Sequence, residues 1–201
     1  MWDLNFRFIE GQRIRLEPPS EHLVDGLCDA LLGEENGWFA TWWQVNSREK
    51  IAELIKISLS GYRNGRSLSF VVRDLISGKV AGISHFSNIN ERHRQLEIGG
   101  TQVGPAFRRS HINTEMKYLM LKDAFERLGT IRVYFKVSSK NYVSQNAVAR
   151  LGIQYEGCLR DDCLYPDGRI GDYFIYGVTK KEWPTLKQRL ELMTHRHNFS
   201  R

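Results

Sequence analysis

Between residues 94 and 138 the chain alternates two strand-like runs with one strongly periodic helical run: "RQLEIGGTQVG", then "PAFRRSHINTEMKYLMLKDAFERLG", then "IRVYFKVS". Two strands joined through a helix of this length return as parallel neighbours, since an antiparallel partner needs only a short turn. The helix sets Ile112, Met116, Leu119, Met120, Ala124 and Leu128 on one face, which must be buried against a sheet. This single crossover constrains the fold more than any other feature.

The remaining runs favour hairpins. "SLSFVVRD" (67 to 74) leads through "LISGK" into "VAGISHFSNI" (80 to 89), an antiparallel pair. Runs at about 153 to 164 and 170 to 178 flank the turn "YPDGR". Two helices precede the first hairpin, at 20 to 33 with Gly33 as C-cap and at 47 to 65 with Ser47 as N-cap. They follow a short strand, "RIRLEPP" (13 to 19); another helix, "SQNAVARLG" (144 to 152), follows the crossover. The order β-α-α-β-β-β-α-β-α-β-β predicts an α/β (α+β) fold: a mixed, mostly antiparallel sheet of six to seven strands with helices on both faces. No linker divides the 201 residues, so we expect one domain, with a core over 12 to 179 and a polar, fray-prone helix at 180 to 195.

Composition bounds the function. A net charge of +6 suits an anionic ligand without requiring nucleic acid, which we do not expect as a direct partner. Cys28, Cys158 and Cys163 are odd in number and form no CxxC pair, which fits a reducing cytoplasm. No apolar run approaches the roughly 20 residues that span a membrane, and the first residues do not read as a signal peptide. His93, His195 and His197 lack metal-ligand spacing, so no metal is expected, and His85 reads as a satisfied strand histidine.

The stretch from Arg108 to Thr114 lies where the crossover helix starts. There the backbone N–H groups of Arg109, Ser110, His111, Ile112, Asn113 and Thr114 face a positive helix dipole, and Arg108 and Arg109 add charge-assisted contacts suited to phosphate. Ser110 or Asn113 would cap the helix. A plain surface loop, with Arg109 paired to a nearby acid, is the alternative. No GxxxxGK[ST] or GxGxxG motif is present. Gly99 and Gly100 interrupt the preceding strand, which signals a bulge. A bulge there would open a wedge against the strand at 131 to 138, leaving backbone near Thr101, Gln102 and Val103 for an extended, amide-bearing ligand. A phosphate cradle beside such a wedge describes a coenzyme A site.

Several ordered motifs strengthen that reading: "INTEMKYLML" after the loop, Asn141 and Ser144, "RLG" at 150 to 152, "EG.LR" at 156 to 160, then Asp167, Gly168 and Asp172. With them the chain resembles the GNAT superfamily of N-acetyltransferases, and within it the RimJ/RimL-like branch that includes ribosomal-protein alanine N-acetyltransferases. The resemblance covers about residues 11 to 190 and is strongest from 94 to 184. It implies acetyl-CoA as co-substrate, a pyrophosphate loop of pattern Q/R-x-x-G-x-G/A laid on Arg108 to Asn113, and Asn141 and Ser144 near the pantetheine arm. His111 and Asn113 stand at the glycine positions, and position 148 is valine where many relatives carry tyrosine.

Acetyl transfer to an amine needs a base, a polarised thioester carbonyl and a donor for the thiolate, whose thiol pKa of ~8.5 makes it a tolerable leaving group. Glu97, two residues before the glycines, is the candidate base; an ion pair with Arg132 is the bland alternative. Ser144 is the candidate donor, with Tyr142 in reserve, or it is a helix N-cap. Trp42, with Trp38, Phe39 and Trp43, would line the acceptor entrance, or else plug the core or meet a second copy in a homodimer. Asp172, with Asp161 and Asp162, would hold a cationic amine. The expected reaction is acetylation of a protein N-terminus or a small amine. A degenerate module of the same fold, sensing CoA or binding RNA or protein, is the alternative.

Overall fold

The computed structural model describes residues 2–5, 7–32, 45–165 and 167–196. A two-residue strand β1 (Ile9–Glu10) and β2 (Ile14–Glu17) form the first hairpin. A single 3-10 turn then leads into α1 (Val24–Leu31), and α2 (Arg48–Arg63) follows. Ser47 caps α2 as expected, its hydroxyl accepting the Lys50 N–H at 3.3 Å. Strands β3 (Leu68–Asp74), β4 (Val80–Asn90) and β5 (Gln95–Val103) make an antiparallel meander. Helix α3 (Ile112–Lys122), extended by a π-helical turn (Asp123–Arg127), crosses over to β6 (Arg132–Ser138). The chain then runs through α4 (Tyr142–Leu151), β7 (Gln154–Leu164), β8 (Ile170–Thr179) and α5 (Trp183–Arg196).

All eight strands join one sheet in the order β1-β2-β3-β4-β5-β6-β8-β7. Its only parallel neighbours among the described residues are β5 and β6, the pair predicted from the crossover. The count exceeds the expected six to seven because β1 is too short to leave an alternation pattern. Apolar side chains bury on both faces. Leu23, Leu27, Leu54 and Ile55 pack on Val71 and Ile83 on one side. On the other, Met116, Met120, Leu151 and Leu190 pack on Phe70, Phe86, Leu96 and Val133.

One expectation changes. The C-terminal helix is docked, not fraying: Leu190 is fully buried, and Trp183 stacks on Phe125 with ring centroids 5.3 Å apart. The polar surface of α5 hid a narrow apolar stripe sufficient to seat it. Gly33, the expected cap of α1, lies outside the described residues.

The sheet carries one discontinuity. β5 and β6 pair only through Gln95–Arg132, Leu96–Val133 and Glu97–Tyr134. Beyond that rung β5 continues along β4 to Val103, while β6 continues along β8 to Ser138. The two parallel strands therefore part like a fork whose apex is Glu97 and Tyr134.

Candidate active site

The fork opens where the adjacent glycines stand. His85 pairs with Gly99 and Ile83 with Gln102, so Gly100 and Thr101 together oppose Ser84, which is a β-bulge. Gly100 has φ +56°, and a Cβ there would lie 2.5 Å from His85 Cδ2. Only glycine fits both demands. The extra residue bends β5 away from β6 and leaves backbone groups along both arms without ladder partners.

At the apex, the half-buried Glu97 accepts a hydrogen bond from the Asn88 amide at 2.7 Å. Its carboxylate leans over Gly99, where a Cβ would lie 2.7 Å from Glu97 Oε1. Burial pushes the Glu97 carboxyl above its ordinary value, against the opposing pull of Asn88 and the Lys136 charge. The ion pair with Arg132 does not form; Arg132 binds Glu156 through both terminal nitrogens. Tyr134, opposite Glu97 in the ladder, shares the Asn88 contact and is raised by burial and by the Glu97 charge. Tyr134 and Asn88 were not legible as site residues, because only register brings them to Glu97.

The helix start is as exposed chemically as its sequence implies. Among the described residues, no hydrogen-bond partner engages the backbone N–H groups of Arg109, Ser110, His111, Asn113 or Thr114. Arg109, exposed and at φ +56°, turns the chain into α3. Arg108 folds back, its Nε donating to the Val103 carbonyl at 3.2 Å. The Ser110 hydroxyl donates to Phe107 O (2.6 Å) and accepts from Ile112 N (3.3 Å), so it braces the loop. The residue at the cap position is His111, without a side-chain cap, rather than Ser110 or Asn113. Its ring nitrogen Nε2 meets the buried Asp74 carboxylate at 3.1 Å. Burial would raise Asp74, but Ser77, Ile76 and His111 together hold it below the usual range. The backbone of His111 is ordinary αR, which removes the need for glycine there. Ile112 is a core anchor with no exposed side chain, and the Thr114 hydroxyl is taken by Arg150 at 2.9 Å. Both can serve a ligand only through the backbone. Arg150, from α4, thus adds a third guanidinium beside this helix start, a contact no local pattern signalled.

Across the open end of the fork, Asn141 is the true cap of α4, accepting the Ser144 N–H at 3.0 Å. Ser144 is therefore not the cap. Its half-buried hydroxyl has no hydrogen-bond partner among the described residues. Gln145 clips the turn before α4 through Ser138 O (3.0 Å) and Ser139 O (2.9 Å).

Asp172 sits in β8 with its carboxylate bound to the Asp161 N–H at 3.0 Å, bracing a bulge in β7, and Asp162 pairs with Lys136. Among the described residues, only Asp162 of the three acids is ion-paired; Asp161 enters its contact through the backbone N–H, and Asp172 keeps a second carboxylate oxygen for a cationic acceptor. Trp42 and its aromatic neighbours 38, 39 and 43 lie outside the described residues. Among the described residues no group of His, Cys, Asp or Glu is arranged to hold a metal ion, and no helix is long and apolar enough to cross a membrane.

Known proteins share this chain's family and fold. Residues 13–154 match the family described as Acetyltransferase (GNAT) domain. "Uncharacterized N-acetyltransferase YoaA" of Bacillus subtilis (strain 168) is 22% identical over 175 residues, covering 87% of this chain and 98% of that one. A GCN5-related N-acetyltransferase from Brucella melitensis superposes with TM-score 0.86 at 28% identity, over 98% of this chain and 89% of that chain. Mycobacterium smegmatis RimJ, solved in complex with CoA-disulfide, shares the fold at TM-score 0.73 and 20% identity, over 94% and 92% of the two chains.

Proposed function

The chain belongs to the acetyltransferase (GNAT) domain family and is an acetyl-CoA-dependent N-acetyltransferase, and on that premise we propose that it acetylates a primary amine by direct attack, with both substrates bound together. The acceptor we infer is a protein N-terminus, as in the RimJ/RimL-like branch, or a small amine. The observation that carries this reading is the fork: it ends at a carboxylate whose pKa is raised, between a bulged strand and an unpartnered helix start.

Acetyl-CoA supplies the activated thioester. The N–H groups of Arg109, Ser110, His111, Asn113 and Thr114, with the Arg109 and Arg150 side chains, hold the pyrophosphate. Unpaired backbone along the two arms receives the amide-bearing pantetheine as an added strand. N–H groups of the bulge, from Gly100 to Val103, polarise the carbonyl. Glu97 takes a proton from the acceptor's ammonium, directly or through water, so that the freed amine attacks the thioester carbon, and a raised pKa brings its basicity closer to that task. The Ser144 hydroxyl, free of capping duty, donates to the departing thiolate. Mycobacterium smegmatis RimJ, which shares the fold, was solved in complex with CoA-disulfide, which supports a ligand of the CoA class for this chain. The free thiols Cys28, Cys158 and Cys163 agree with a reducing, cytoplasmic setting.

The test is mass spectrometry of products after incubating the full chain with acetyl-CoA and a panel of amines. The panel holds peptides beginning with Ala, Ser or Met, together with spermidine. An acetyl group on the α-amine of one peptide class is expected. Thermal stabilisation by acetyl-CoA without any acetylated amine would instead favour a binding module of the same fold.

A further inference from the structure

Beneath the bulge lies a charged group that none of these steps uses. Lys117, on the sheet-facing side of α3, is 4% exposed. Its ammonium donates to the Ser84 hydroxyl of β4 at 3.2 Å and to the Thr101 hydroxyl of β5, and those two hydroxyls are 2.8 Å apart. Nζ also lies 5.7 Å from the centre of the Phe135 ring of β6. Lys117 thus touches the bulged strand, its partner and the far arm of the fork at once. It forms the floor under the place where β5 leaves β6.

Lysine is seldom buried without an acid, and none pairs with Lys117 among the described residues. Its surroundings are otherwise neutral. From β4 it faces His85, which burial and the Lys117 charge push down to about 4 and which bonds Ser69 at 2.7 Å. From β5 it meets a hydroxyl, and from β6 an aromatic ring. The acids of its own helix and its π-helical extension are engaged elsewhere, Glu115 with the Gln12 and Arg13 backbone N–H groups, Asp123 with Arg7 and Arg127, and Glu126 with Trp183 and Lys187.

The geometry points to Lys117 as a positioning residue for acetyl transfer: it holds the bulge through Thr101, and its charge under the fork favours the negative charge that gathers on the thioester oxygen during attack. This rests on the acetyltransferase reading of the fork. Burial pushes the ammonium down to about 7, so its charge is shed as pH rises through neutrality. The fold does not require that charge, since Ser84 and Thr101 can satisfy each other once it is gone. The unfolded chain keeps its lysine protonated up to about 10.5. Hence the buried ammonium destabilises most at pH below about 7, and the penalty disappears as pH rises toward the unfolded pKa.

The test uses the full chain with carbonyl-labelled acetyl-CoA, followed by difference infrared spectroscopy, calorimetry and thermal melts for wild type, Lys117→Met and Lys117→Gln. In wild type the bound carbonyl band should lie lower at about pH 6 than at about pH 9, while both variants show a higher, pH-independent band. Affinity for acetyl-CoA should stay within about threefold. Lys117→Met should melt no lower than wild type under acidic conditions, with its advantage shrinking as pH rises. Identical carbonyl bands in wild type and variants would overturn the inference, as would a fall in melting temperature and acetyl-CoA binding in both variants, which marks a folding role alone. If wild type itself binds no acetyl-CoA, the fork reading fails and this inference falls with it.

Discussion

Glu97 owes its chemistry to three small facts about its neighbours. Gly99 leaves room for the carboxylate, the Asn88 amide orients it, and the paired strand at Tyr134 half-buries it. Asn88 sits at φ +48°, a conformation asparagine tolerates better than most residues. Glu97→Gln should lower kcat by about 10²- to 10⁴-fold while leaving acetyl-CoA affinity unchanged, as steady-state kinetics and calorimetry would show. The sign of the pH effect follows from the Asn88 bond, which stabilises the carboxylate and holds its pKa down. Asn88→Ala should therefore move the rising limb of the kcat profile to higher pH, and an unmoved limb would remove Glu97 from the role of base.

The start of α3 works as an element, because its open N–H groups and dipole act together with side chains from two other segments. Arg109→Ala should weaken acetyl-CoA binding by about tenfold, with the loss shrinking at high salt, as expected for a charge-assisted phosphate contact. Titration calorimetry at two ionic strengths reads both. His111 shows how an element resolves an apparent misfit. Its side chain stands at a position where small residues are usual, yet its backbone is helical and its ring meets the buried Asp74 carboxylate. At the other end of the chain, α5 is fastened by Trp183, whose ring stacks on Phe125 and whose N–H reaches Glu126 at 3.1 Å. Trp183→Ala should cost about 3–5 kcal/mol in urea denaturation, the usual loss for a large buried aromatic.

For the molecule as a whole, a ligand that binds only the folded state must raise its stability. Acetyl-CoA at about 100 times its dissociation constant should add about 2.7 kcal/mol, visible as a higher melting temperature. Arg109→Ala should lose part of that gain, whereas Glu97→Gln should keep it, which separates the cradle from the chemistry. The sequence by itself determined the parallel crossover, the hairpins, the cap at Ser47, the bulge at Gly99 and Gly100, and Glu97 beside it. Each of these is written in neighbours a few residues apart, through periodicity, turn chemistry or the conformational freedom of glycine. Only the tertiary structure decided that β8 lies between β6 and β7, that α5 docks, that His111 turns to Asp74, and that Arg150 reaches Thr114. It alone set Lys117 under the fork. Those outcomes depend on register and on which faces bury together, and a periodic helix such as α3 presents the same local pattern whether a lysine on it meets water or two hydroxyls of a bulge.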